Sequence, residues 1–143
     1  AANALAALAL ACGSACGDSA VENDVEDAAF RLNDIYYMKW VPEHERLNHL
    51  QYKERRFGAG CIEQWKQQQV QLVAQLTDRL RPFEEMLVHR PFLLGERPYF
   101  VDLDLVAMLD SFLTSGHYEI PGSLPLVRQW FEHISAARNV HFI

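Results

Sequence analysis

An aspartate at the front of an apolar run constrains this chain more than any other feature. In FLLGERPYFVDLDLVAML, residues 92–109, the second half is almost wholly apolar, yet Asp102 stands where that half begins. A helix start leaves its first N–H groups without intrahelical partners, and burying them unpaired is costly. An acid at the third helical position reaches back to those donors and lies at the positive end of the helix dipole. With a helix beginning near Tyr99, Asp102 is therefore expected to act as a structural cap on a buried helix end. Gly95 would break the preceding helix and Pro98 would fix the entry. Asp102→Ala should then cost about 1–3 kcal/mol, and Asp110→Ala little if Asp110 faces solvent.

The rest of the chain reads as helix after helix. Val21, Val25, Ala29, Leu32, Tyr36 and Trp40 recur every three or four residues, with acids in the first turns, and Pro42 ends the stripe. A short basic segment, ERLNHLQYKERRFGAG, follows and is closed by Gly58 and Gly60. One long helix is expected over 62–88, about 40 Å in length, with a bend near Asp78–Pro82. The last helix lies in SLPLVRQWFEHISAA, where Ser123 can cap and Pro125 suits the first turn. Leu124, Val127, Phe131 and Ile134 form its stripe, and Trp65 and Trp130 belong to the core. No segment alternates with period two. The class is all-α, a multi-helix bundle.

At 143 residues the chain suits one globular domain. We divide it into an Ala-rich N-terminal segment, 1–18, and a helical domain, 19–143. The opening AANALAALALACGSACGD reads as one short Ala/Leu helix ended by Gly13-Ser14. Its lack of an initiator Met suggests a processed or truncated piece. A formal charge of −6 argues against nucleic acid or an anionic membrane as partner. No apolar run reaches membrane-spanning length. Cys12, Cys16 and Cys61 form neither a CxxC nor a zinc pattern, which points to a reducing, cytoplasmic setting.

The run 92–109 resembles the signature of the C-terminal helical domain of glutathione transferases, in which the aspartate belongs to an N-capping box. Three further stretches are similar to that family. LTDRLRPFEEML, 76–87, resembles its long helix, LPLVRQWFEHISAA its later Pro/Trp helix, and Glu26-Asp27-Ala28 with Tyr36-Tyr37-Met38-Lys39-Trp40 its first helix in some bacterial members. The family usually has Ser or Thr at the cap, where Tyr99 stands here, so the box is expected to be half built and to lack ~1 kcal/mol. The resemblance implies a partner domain of thioredoxin-like fold that binds glutathione, in the same or another chain. It implies a helical half that offers an apolar cavity to a small hydrophobic electrophile, and a dimer contact. Tyr36, Tyr37, Trp40 and Phe112 are the substrate-binding residues so implied. Tyr36 and Trp40 also fall on the core stripe, where packing is the simpler role; Tyr37 lies off it, and Phe112 sits near the end of the buried helix. No catalytic residue is assigned, because the family's thiolate-stabilising donor lies in the other half.

His44, Glu45 and His49 do not make a zinc helix motif, since the histidines are five apart rather than four, and no metal is expected. His89, His117, His133 and His141 read as surface residues. Arg46, Lys53, Arg55 and Arg56 suit a solvated basic face or an anionic ligand such as glutathione. Two functions follow. The chain is the helical half of an enzyme that conjugates glutathione to small electrophiles, or it is a stand-alone, non-catalytic binding or assembly module.

Overall fold

The computed structural model describes residues 25–140. The expected N-terminal Ala/Leu helix, Cys12, Cys16 and His141 lie outside them. Six α-helices and no strand occur among the described residues: α1 Asp27–Tyr37, α2 Glu43–Phe57, α3 Cys61–Gln67, α4 Gln69–Leu87, α5 Phe100–Thr114 and α6 Pro125–Val140. α1 packs on α3, α4 and α5, while α6 packs on α4 and α5. One core cluster draws buried side chains from all of these except α2, among them Leu32, Trp65, Leu80, Leu109 and Trp130. Ala28 and Ala29 are the small residues that let α1 lie close in this core.

α5 buries Leu105, Val106, Leu109 and Phe112 together with Asp102, which is 0% exposed. The Asp102 carboxylate accepts three hydrogen bonds. Oδ2 takes the Tyr99 N–H at 2.9 Å, closing the helix start as expected. Oδ1 takes the Leu93 N–H and the Trp130 indole N–H, each at 2.9 Å. The Tyr99 side chain makes no cap hydrogen bond, and the Asp102 N–H turns to the Tyr99 carbonyl at 3.0 Å, so the box is half built. Leu93 is presented by a tight turn in which Phe92 and Gly95 exchange both backbone hydrogen bonds, at 3.2 and 3.3 Å. One carboxylate thus ties this turn, the start of α5 and α6 together.

The helix before the turn ends at Leu87, within one residue of the expected 88, and Gly95 belongs to the turn beyond it. Several other features differ from the sequence reading, each for a physical reason. The basic segment is a full helix, α2, with no buried residue. Glu43 and Glu45 in its first turn and Arg55 and Arg56 in its last complement the dipole, and Gly58 at φ 100 ends it. The long helix is interrupted at Gln68, whose φ −92 and ψ 10 leave the helical region, while α4 runs unbroken through Pro82. The cap of α6 comes from another helix. Glu84 of α4 accepts the Leu126 and Val127 N–H groups at 3.0 and 2.8 Å, one on each carboxylate oxygen, and Ser123 is exposed. Asp110 is partly buried, not solvent-facing.

Candidate functional site

The four aromatic candidates fall into two groups, Tyr37 with Trp40 and Tyr36 with Phe112. Tyr37 and Trp40 line a cavity of about 510 Å³ at the α1–α2 junction, with Val41, Glu45, Asn48 and His49. The Tyr37 ring lies 5.1 Å from the His49 ring at 50°. Trp40 is not on the core stripe: α1 has ended at Tyr37, Met38–Trp40 form a turn before Pro42, and the indole is 68% exposed. Stripe counting had carried the helix one turn too far.

Tyr36 is rotated by about 100° from Tyr37 on the helix and faces the body of the bundle. Its ring stacks on His117 at 3.6 Å and meets Tyr118 edge-on at 5.9 Å. Beneath them Phe112, 1% exposed, stacks on Tyr118 at 4.9 Å. Gln69 binds the group together, since its side-chain NH₂ donates to the Tyr36 hydroxyl at 3.1 Å and the Tyr118 hydroxyl at 2.8 Å. Tyr118 in turn donates to the Leu32 carbonyl at 3.2 Å. Sequence reading missed Tyr118, whereas His117 is exposed as expected and adds its ring to Tyr36. The available signal was Gln69, a polar residue standing in an otherwise apolar stripe.

Burial pushes the Tyr118 phenol from its ordinary 10.0 up to about 12, with Tyr36 adding to the rise and the Gln69 hydrogen bond opposing it. A folded pKa above the unfolded one means that the neutral phenol's contribution is complete below pH 10 and fades as pH climbs toward 12. An ultraviolet titration should therefore show one phenol ionising near 12, a step that Tyr118→Phe removes. Loss of a step near 10.0 instead, the ordinary phenol value, would refute this.

The basic residues do not converge on an anion site. The Lys53 ammonium is paired with Asp34 at 2.6 Å, Arg46 Nε donates to the Val41 carbonyl at 3.0 Å, and Arg56 leans on the Tyr52 hydroxyl at 3.4 Å. The nearby hollow of about 390 Å³ mixes Lys53 and Arg56 with Glu26 and Asp27. His44 touches Glu45 at 3.5 Å while His49 packs on Tyr37, and no cluster among the described residues could hold a metal ion.

The sequence matches the family model "Glutathione S-transferase, C-terminal domain" over residues 32–137, well over half of the chain. The chain belongs to that family. Comparisons with curated proteins and with solved structures give no match. The described residues of this glutathione transferase C-terminal domain form helices and no strand, and the buried Asp102 that marked the resemblance accepts three hydrogen bonds. The family is associated with glutathione-binding enzymes. No step of glutathione chemistry is assigned to the described residues. No helix of the described residues is long and apolar enough to cross a membrane.

Proposed function

We propose that these helices are the electrophile-binding half of a cytoplasmic, dimeric glutathione transferase-like enzyme, completed by a thioredoxin-like domain in the same or another chain. The Tyr37–Trp40 cavity receives the small electrophile, and Tyr36 and Phe112 support it from within the bundle. The observation that carries the reading, beside family membership, is an unpartnered apolar face on α5. Phe100 is 80% exposed and Leu103 more than half exposed, one turn apart, on a helix whose other side is wholly buried. Exposed apolar neighbours of this kind mark a surface that another body covers. Glu96 and Arg97 lie just before it and are exposed, a polar rim.

The protein purified from its source should carry a thioredoxin-like domain, as extra mass or as a second chain, and should conjugate glutathione to a chloronitrobenzene. Phe100→Asp combined with Leu103→Asp should lower that turnover at least about tenfold, because the glutathione site is no longer held over the cavity. The double variant should melt as the parent helical domain does. A native mass equal to this chain alone, with no second chain, would sink the proposal. The alternative, a stand-alone non-catalytic binding or assembly module, is favoured by the core, which closes within the described helices. Retention on glutathione-agarose together with turnover of the electrophile would remove that alternative.

A further inference from the structure

The walls of the α1–α2 cavity accept hydrogen bonds and carry negative charge. Glu45 supplies a carboxylate, Asn48 an amide oxygen, and Tyr37 and Trp40 two aromatic rings. His49 Nε2 is shut off from solvent and has no hydrogen-bond partner among the described residues. No lysine or arginine lines the space. Arg46 turns its guanidinium onto the Val41 carbonyl, and Lys39 holds its ammonium 5.2 Å from the Tyr36 ring centroid. His44 does approach Glu45 at 3.5 Å, but both side chains are largely exposed, and such a contact is worth little.

These groups discriminate among ligand classes. An anion entering the cavity meets the Glu45 carboxylate and finds no cation to pair with. A neutral apolar ligand fills the space but gives the Glu45 carboxylate no counter-charge and the Asn48 amide oxygen no donor. A protonated amine complements the carboxylate, the amide oxygen and the two rings together. Its charge lies against the faces of Tyr37 and Trp40, as ammonium ligands do in aromatic cages. It pairs with the Glu45 carboxylate, and one of its N–H groups can be accepted by the Asn48 amide oxygen.

We propose that this cavity binds small ligands that join a ring to a protonated amine, so that the electrophiles handled here bear an amine. The last clause rests on the reading of the cavity as the electrophile site; the ammonium preference does not. Benzylammonium, benzyl alcohol and benzoate are matched probes of one shape and three charges. Trp65 and Trp130 are buried and Trp40 is exposed, so quenching of tryptophan fluorescence in the full chain reports on the cavity.

Benzylammonium should bind at least about tenfold more tightly than benzyl alcohol, and benzoate should not saturate. Glu45→Gln should erase the ammonium preference while keeping the affinity for the alcohol. Trp40→Ala, followed by calorimetry, should weaken both benzylammonium and benzyl alcohol. Both positions are exposed, so unchanged melting curves are expected for these variants. Equal binding of the amine and the alcohol, tighter binding of benzoate, absence of saturation by any probe, or a preference that survives Glu45→Gln overturns the proposal. Conjugation of glutathione by the native protein is read separately. An ammonium preference without turnover removes the enzymatic reading and leaves the amine site standing, whereas turnover without the preference does the reverse.

Discussion

Asp102→Ala is expected to destabilise the helical domain by about 3–5 kcal/mol, more than a helix cap alone would account for. A cap that loses its acceptor strands one or two amides at a helix start. Here the carboxylate also serves the Leu93 N–H in the preceding turn and the Trp130 indole on α6, so three donors in three segments lose their partner at once. Each buried donor left unpaired costs about 1–3 kcal/mol, and the relief of no longer burying a carboxylate offsets part of the sum. In a domain of this size the melting temperature should fall by roughly 12–20 °C. Asp102→Asn keeps the volume but aims an NH₂ group at a donor, and should lose about 2 kcal/mol. It provides a measurable variant should the alanine protein fail to fold. Trp130→Phe removes one donor and leaves the carboxylate two, so its cost should combine non-additively with that of Asp102→Asn in a double-mutant cycle. Glu96→Ala, at an exposed acid, is the control and should change stability by less than about 0.5 kcal/mol. Equal melting temperatures for Asp102→Ala and Glu96→Ala would contradict the assignment.

How much of this was legible depends on where each partner lies along the chain. That Asp102 must have donors follows from an acid entering an apolar helix, and Tyr99, three residues away, could be named from spacing alone. Leu93 and Trp130 could not, because no local period links position 102 to a turn nine residues upstream or to an indole on α6. The half-built box was legible for the converse reason, since a phenol is too long to reach the amide beside its own backbone. α2 was invisible as a helix because its stability lies in charges at its ends and not in an apolar stripe. The break at Gln68 was hidden because Trp65, Gln69 and Leu72 keep helical spacing across it. Gln69 was counted as one more step of the stripe, whereas it is the donor that joins Tyr36 to Tyr118. The cavity was half visible: Tyr37 stands off the core stripe, but Glu45, Asn48 and His49 belong to the helix that the pattern did not reveal.

Lys53→Ala carries the second large effect, and it connects stability to the cavity. Lys53 on α2 and Asp34 on α1 form a pair at 2.6 Å whose side chains are only 15% and 8% exposed. The Lys53 stem also lies against Phe30, with the ammonium 5.3 Å from the ring centroid. Truncation leaves the Asp34 carboxylate buried without its cation, which should cost about 3–4 kcal/mol. The loss should not be spread evenly. α2 buries no residue of its own, so its hold on the bundle rests on this pair, on the Phe57 ring against Phe30 and Trp65, on His49 against Tyr37 and on the Arg46 bond to Val41. Hydrogen exchange should therefore accelerate across 43–57 while the amides of α4 and α5 keep most of their protection, as expected when one unit opens without the rest. Glu45, Asn48 and His49 would leave the cavity wall with that helix, so the same variant should lose probe binding although no cavity residue is changed. Lys53→Met combined with Asp34→Leu should restore much of the lost stability, because an apolar pair of similar size removes the stranded charge. Uniform loss of protection over all helices, or no change in exchange over 43–57, would show that α2 is held by something other than this pair.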